Sequence, residues 1–288
     1  MTTTPGNPAV AVVIPCLDAA DVLPRQLQAL AAQHVTRSWE VVVVDNGSTD
    51  NTTQVATSFQ DRLPRLRVVH EPRRGRHHAC NTGVGATAAP CVLFVDADDE
   101  VHPGYVEAMA EALDTSDVAA SALDHERFAV GEPEVGLVQM TGLIDGFGFL
   151  PFASGASLGV RREAFLAVGG FHSVPFGEDV DLSWRLQLAG YEIAFVPEAR
   201  VAYAQRPDLG SMFRQHRRFG QAQAFLYRRY AASGMPRRGV GAAAAEWRRS
   251  LLGLLVSRDR GQRARAVRRL GRNVGRLIGS VRARVFYL

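Results

Sequence analysis

Lysine is absent: all 33 basic side chains are arginine. Together with abundant Ala, Val and Gly, this marks a GC-rich genome rather than a function. Cysteine is scarce. Cys16, Cys80 and Cys91 are odd in number and form no CxxC pair, which excludes a disulfide framework and points to a reducing compartment. No run of eighteen apolar residues occurs, so no membrane span is expected. Residues Met1 to Pro8 are polar and lack the basic-then-apolar order of a signal peptide. These absences lead us to expect a cytoplasmic protein. What remains is 288 residues with 47% apolar content, enough for one large domain or one domain with an appendage.

The net charge of +4 conceals an asymmetry. Residues 237–288 hold 14 Arg against Glu246 and Asp259, a net of +12, and the rest of the chain is net −8. A basic tail on an acidic body predicts an anionic partner for the tail.

The stretch around which the chain is organised is Val92-Leu93-Phe94-Val95-Asp96-Ala97-Asp98-Asp99. Four apolar residues read as a short buried strand, and the strand stops in three carboxylates. In open α/β sheets, ligands sit beyond the carboxyl ends of strands. Crowded carboxylates there repel one another unless a cation or donor stands between them, and a hard divalent ion with oxygen ligands suits the arrangement. A solvated acidic turn is the competing reading.

Strands are expected at Val10 to Pro15, Glu40 to Val44 and Leu66 to Val69, besides the organising strand. Helices are expected at Ala20 to His34, Asn51 to Asp61, His78 to Ala88 and Pro103 to Leu113. This alternation predicts an α/β fold: a mostly parallel sheet with helices on both faces. Val118 to Leu123 extends the pattern. Arg127 to Gly155 is irregular and rich in Gly, Phe and Pro. Beyond it come a short strand at Gly155 to Val160, helices at Arg162 to Val168 and Asp181 to Leu188, strands at Ile193 to Val196 and Arg200 to Ala204, and a long helix at Leu209 to Tyr230.

Four motifs stand in order at these strand ends: Val13-Ile14-Pro15, Asp45-Asn46-Gly47-Ser48-Thr49-Asp50, Asp96-Ala97-Asp98, and Gly169-Gly170-Phe171 followed by Glu178-Asp179. In this order and spacing, roughly Ala9 to Gly220 resembles a family 2 glycosyltransferase with the Rossmann-like GT-A fold. The resemblance implies a catalytic domain over 8–235, with a donor half of about 8–123 and an acceptor half of about 124–235, followed by a helical tail over 236–288. It also implies a nucleotide-diphosphate-sugar donor linked to UDP or GDP, Mg²⁺ or Mn²⁺, and inversion at the anomeric carbon.

On that resemblance, Asp98 is the metal ligand and Asp96 reaches the ribose or the metal's water shell. Asp179 is the general base that takes the acceptor proton. Glu178 is left between acceptor binding and support. Pro15, Asp18 and Asp45 are placed beside the nucleotide base, where turn chemistry alone also explains Asp45. The family's Gly-rich segment and Ala-Arg-Asn-x-Gly pattern match Arg73 to Gly83, giving Gly75, Arg76 and Asn81 as donor-binding residues. Cys80 replaces the pattern's Arg, and Arg76 or His77 is expected to take its place near the diphosphate. His77-His78 lacks the partners of a zinc site. Gln215-His216-Arg217-Arg218-Phe219 resembles the Gln-x-x-Arg-Trp motif of processive synthases with Phe for Trp, and is read as an acceptor-side helix of a non-processive enzyme. Tyr203 stands where many members have a metal-binding His, so His216 becomes the candidate third ligand. The acceptor is expected to be a glycan or a lipid-linked molecule.

In the tail, Val267, Leu270, Val274, Leu277, Ile278, Val281 and Val285 recur at spacings of three and four, with most Arg residues off that stripe. Leu251 to Val256 adds a shorter apolar patch. Either this amphipathic helix lies on an anionic membrane surface, at the cytoplasmic leaflet, or its stripe packs on the domain and its Arg face is solvated. Two other functions compete: a nucleotidyl- or phosphosugar transferase, disfavoured because Pro15-Cys16-Leu17-Asp18 lacks a Gly-rich basic signature, and an Arg-tail nucleic-acid binder, disfavoured because few aromatics interleave the basic residues. No nucleic-acid partner is expected.

Overall fold

The computed structural model describes residues 6–63, 65–124, 139–204 and 208–288. Part of the irregular segment expected between Arg127 and Gly155 therefore lies outside the described residues.

The element order begins β1 (Val10–Cys16), α1 (Leu23–Ala31), β2 (Trp39–Asp45), α2 (Thr52–Thr57), β3 (Arg67–His70), α3 (Arg76–Gly85) and β4 (Cys91–Phe94). There follow β5 (Glu100–Val101), α4 (Tyr105–Thr115), β6 (Val118–Asp124), β7 (Leu158–Arg161), α5 (Arg162–Ala167), α6 (Glu178–Leu188) and β8 (Ile193–Ala202). Three long helices close the chain: α7 (Leu209–Tyr230), α8 (Val240–Val256) and α9 (Arg260–Ala283).

One eight-stranded sheet runs in the order β3-β2-β1-β4-β7-β6-β8-β5. The β1, β2, β3 and β4 pairings are all parallel, as is β6 with β8. Strand β7 runs antiparallel to both β4 and β6, and β5 runs antiparallel to β8. The sheet is therefore mixed, and β4, with its acidic end, stands in the middle of it.

The continuous Val-rich runs of β1 and β2 follow from this central place, because both faces are covered. Val12, Ile14, Val41 and Val43 point into a core shared with Leu23, Leu27, Leu30, Tyr105 and Met109. Their neighbours Val13, Val42 and Val44 point the other way, towards Ala79, Val84, Phe94 and Phe165. This alternation places α1 and α4 on one face and α3 and α5 on the other. A third cluster, with Trp184, Leu226, Tyr230 and Tyr287, lies between α6, α7 and the C-terminus.

Three elements depart from the sequence reading. The two strands expected at Ile193 to Val196 and Arg200 to Ala204 are one strand, β8. Its pairing with β6 jumps from Val196–Ser121 to Arg200–Ala122, a bulge that takes up Pro197, which cannot donate to the ladder. Residues Gly155–Ser157 form a 3₁₀ turn ahead of β7, with the Ser154 side chain accepting the Ala156 N–H. Helix α6 begins at Glu178 rather than Asp181, which puts Glu178, Asp179 and Asp181 in its first turn, where the helix dipole favours negative charge.

The tail departs most. Helix α9 packs along α7 through Gly271, Gly275 and Gly279 against the backbone of Phe213, Arg217 and Gln221. A Cβ on Gly275 or Gly220 would overlap the facing main chain, so only glycine admits this approach. The sides of α9 buried with the glycines carry Arg268, Arg272, Asn273 and Arg276. Arg276 is only 2% exposed and pairs with Glu246 at 2.5 Å, while burial lowers its pKa to about 10. The expectation that a domain-packed α9 would turn its apolar stripe inwards and its arginines outwards is therefore overturned. Arg268, Arg272 and Arg276 turn inwards, while Leu277 and Val281 of the stripe are exposed.

Candidate active site

The carboxyl ends of β1, β2 and β4 lie side by side because these strands are adjacent and parallel. Asp45 ends β2 opposite Cys16. Its carboxylate accepts the Ser48 N–H at 3.0 Å and meets His70 Nδ1 at 3.1 Å. These hydrogen bonds and His70 hold it below the usual carboxylate range against the opposing effect of desolvation. Asp18 lies in the left-handed region and accepts the Thr49 N–H at 2.7 Å. The turns after β1 and β2 are thus tied into one wall, with Asn46 reaching on to Gly75 N–H at 2.7 Å.

At the end of β4, Asp96, Asp98 and Asp99 bring one carboxylate oxygen each to within 4.8 Å of one another. Asp99 is buried and accepts the Ala204 N–H at 2.8 Å. Arg25 and Gln26 of α1 clamp the backbone carbonyls of Asp98 and Asp96 at 2.5 and 3.2 Å. Three converging hard oxygen donors fit a divalent cation of the Mg²⁺ or Mn²⁺ type. Asp99 was missing from the candidate set, and its position directly after Asp98 was the available signal.

Gly75 has φ +137, which its lack of a Cβ allows. It starts α3 so that Arg76 turns into the site. Arg76 donates to Asp96 at 3.0 Å and to the Gly155 carbonyl at 2.8 Å, with its guanidinium 5.7 Å from the Phe171 ring centroid. From the far side, Gly155 donates its N–H to Asp179 Oδ2 at 3.0 Å, and Asp179 Oδ1 takes the Val180 N–H at 2.8 Å. Desolvation raises the Asp179 pKa against the pull of these donors and of Arg76. Glu178 is raised by desolvation and by the Asp179 charge. One connected path therefore runs from the acidic end of β4 to the acidic start of α6.

Two candidates are engaged within the fold. The Asn81 amide is committed to the main chain of Phe171, donating at 2.8 Å and accepting at 2.9 Å. It fastens the Gly169-Gly170-Phe171 turn to α3. His216 is not brought to the acidic cluster. It packs between α7 and α9, with Nδ1 3.1 Å from Arg272, and desolvation with Arg272 and Arg268 pushes its pKa down to about 3. A metal beside those two cations would be repelled, which corrects the expectation of a third ligand there.

A further group escaped sequence reading. Asp181, wholly buried, pairs with Arg185 at 2.8 Å and Arg229 at 3.0 Å and accepts the Tyr230 hydroxyl at 2.7 Å. Arg185 in turn donates to the carbonyls of Val168 and Gly170. This hub ties the turn carrying Glu178 and Asp179 to α7.

The family model described as "Glycosyl transferase family 2" matches residues 11–168, and that described as "Glycosyl transferase family group 2" matches residues 91–267. The chain belongs to glycosyl transferase family 2. The chain is 29% identical over 236 residues to the succinoglycan biosynthesis protein ExoA of Rhizobium meliloti, covering 77% of this chain and 71% of that one. It is also 29% identical over 255 residues to a pre-mycofactocin glycosyltransferase of Mycobacterium tuberculosis, covering 84% of this chain and 53% of the relative. Among solved structures, the mannosyltransferase PcManGT of Pyrobaculum calidifontis, in complex with GDP-Man and Mn²⁺, superposes with TM-score 0.63 at 20% identity over 94% of this chain and 87% of that one. TarS 1-349 of S. aureus superposes with TM-score 0.58 at 18% identity over 97% and 93%. The mixed sheet with flanking helices is thus the GT-A fold, and this family 2 member is a glycosyltransferase.

Proposed function

We propose that the enzyme is an inverting, metal-dependent, non-processive glycosyltransferase that moves one sugar from a UDP- or GDP-linked donor to a glycan or lipid-linked acceptor. The observation that carries this reading is the Asp96–Arg76–Gly155–Asp179 path, which faces a donor-side carboxylate cluster with a recessed acceptor-side carboxylate.

Asp98 and Asp96, joined by Asp99, would hold Mg²⁺ or Mn²⁺. When bound, the ion supplies positive charge against the departing diphosphate. Asp45 and Asp18, with Pro15 on β1, form the wall for the nucleotide base. Arg76 meets charge that develops on the leaving phosphate, in the place that Cys80 leaves open. Asp179 takes the acceptor proton as the acceptor oxygen attacks the anomeric carbon and the sugar–phosphate bond breaks on the opposite side. Its raised pKa makes it a better base than an exposed carboxylate. Glu178 is assigned to acceptor binding or to support of Asp179.

Non-processive action is supported by how Gln215 to Phe219 is used. Arg218 lies over the Phe176 ring at 4.4 Å, and His216 packs towards α9. The segment joins elements of the fold and carries Phe where the processive motif has Trp. We place the enzyme in the cytoplasm, peripheral on the inner face of the cell membrane.

A donor-hydrolysis screen across UDP- and GDP-sugars with Mn²⁺, Mg²⁺ and chelator tests the reading. Metal-dependent release of one nucleoside diphosphate is expected. The absence of release from every donor, or release unaffected by chelator, overturns it.

A further inference from the structure

Helices α8 and α9 form a hairpin whose contacts are made by its small and polar residues. Gly253 lies against Ala266, Asn273 donates to Ser250 at 3.0 Å, and Glu246 joins Arg238 and Arg276 at 2.6 and 2.5 Å. The other side of α9 meets α7 through its glycines. These two contacts use up the polar and glycine sides of the helix.

The remaining side of α9 is apolar. At 100° per residue, Val267, Leu270, Val274, Leu277, Ile278 and Val281 fall within one sector of about 100°, between the glycine ridge and the side that meets α8. None of these six is buried, and Val281 is 74% exposed. On α8, Leu251 and Leu252 are each half exposed, Leu255 is 81% exposed and Val256 is 66% exposed. A water-soluble helix normally does the reverse, burying its leucines and showing its arginines. Exposed apolar faces of this kind on two neighbouring helices mark an interaction site.

Charge decides the kind of partner. Among residues 237–288, Arg237, Arg248, Arg249, Arg258, Arg260, Arg263, Arg282 and Arg284 are all exposed. The two acids of this region are engaged within the protein: Glu246 holds Arg238 and Arg276, and Asp259 caps α9 by accepting the Gln262 N–H at 2.8 Å. Apolar faces rimmed by cations and without free anions match the acyl boundary and headgroup layer of an anionic bilayer. A second copy of the same cationic hairpin is disfavoured by like-charge repulsion.

We propose that the outward faces of α8 and α9 are the membrane-docking surface of this protein, with Leu251, Leu255, Leu277 and Val281 entering the acyl boundary of an anionic leaflet and the exposed arginines resting on its headgroups. The proposal deepens the peripheral placement given above, and it does not depend on which donor the enzyme uses.

Flotation of the full chain with vesicles of phosphatidylcholine alone, and of phosphatidylcholine with phosphatidylglycerol, tests it. Binding to the anionic vesicles at low salt is expected, with loss at high salt. The double substitution Leu255→Glu and Val281→Glu should weaken vesicle binding by at least about tenfold, because it removes two inserted side chains and adds repelled charge. Its melting temperature and vesicle-free donor hydrolysis should stay as in the parent. A parent that ignores anionic vesicles, or a double variant that floats as the parent does, overturns the proposal. So does a parent dimer in sedimentation that the double variant dissolves. Failure of donor hydrolysis with vesicle binding intact would strike the catalytic reading alone.

Discussion

Arg76 holds its guanidinium 2.8 Å from the carbonyl oxygen of Gly155. The same glycine gives its N–H to Asp179, so one residue without a side chain couples the cation beside Asp96 to the carboxylate at the start of α6. A Cβ at Gly155 would stand 2.8 Å from Arg76 Nη1 and 3.1 Å from its Cζ. The obstructed group is the far end of a flexible side chain, so Gly155→Ala should fold normally and push Arg76 aside. We expect sugar transfer to fall by about a hundredfold, the scale of an ångström-sized misplacement, with the melting temperature nearly unchanged. Steady-state rates and thermal denaturation of the same preparation check this.

Asp179→Asn should retain donor affinity and lose ~10²-fold or more in kcat, the scale of a missing general base. The parent's rate should fall on acidification through the raised Asp179 pKa, and that acidic limb should disappear in the variant. Stability carries the same signature. A carboxyl whose folded pKa is raised loses stability as pH climbs from its unfolded value through its folded one. Asp179→Asn should therefore melt higher than the parent at neutral pH, and the gap should close as pH falls below the unfolded carboxylate range. Rate profiles and melting curves from acid to neutral pH would measure both.

Asp98→Ala should abolish metal-dependent donor binding, because it removes one of the three converging carboxylates, the one assigned as the direct metal ligand. Calorimetric titration of donor with and without Mn²⁺ measures this, and an unchanged metal-dependent affinity counts against the assignment. His216→Ala should leave that metal dependence as it is, since His216 faces Arg272.

Asp181 is expected to matter for stability before chemistry. Removing it leaves Arg185 and Arg229 without their shared carboxylate, and breaking a buried pair costs about 3–5 kcal/mol. Tyr230→Phe removes only the hydroxyl hydrogen bond, worth about 1 kcal/mol. Urea denaturation of Asp181→Ala and Tyr230→Phe should rank them in that order.

The donor half was legible in the sequence because burial there follows hydrophobicity. The Val-rich runs of β1 and β2 are central strands, and their carboxylate ends fall where parallel strands must place them. Helix α7 was legible as one long polar-aromatic run from Leu209 to Tyr230, and in the structure Asp208 caps its start by accepting the Ser211 N–H. Elsewhere packing was decided by something other than hydrophobicity. The orientation of α9 is set by a glycine ridge that permits backbone contact, and glycine carries no apolar signal of its own. Asn81 reads as a polar residue near a site, but only the fold reveals that Phe171 satisfies both ends of its amide. His216 looked available as a ligand because the arginines beside it lie more than fifty residues later in the chain. Asp181 read only as the start of a helix, since its partners Arg229 and Tyr230 come from the next long helix.

The glycine contacts between α7 and α9 also fix a height. Helix α7, about 33 Å long at 1.5 Å per residue, packs Ala222 and Leu226 against the Gly177 turn that opens α6 and holds α9 along the same body. Main chains in direct contact leave little room to slide, so the acceptor-side carboxylate and the outward faces of the tail keep a constant separation. With the hairpin resting on a membrane as proposed, that surface would become a datum plane for the chemistry, and an acceptor would be glycosylated only where its hydroxyl projects to that level. Such an enzyme would select its acceptor by reach as well as by recognition: lengthening or shortening the spacer below the acceptor sugar would change the rate while leaving every contact inside the site intact.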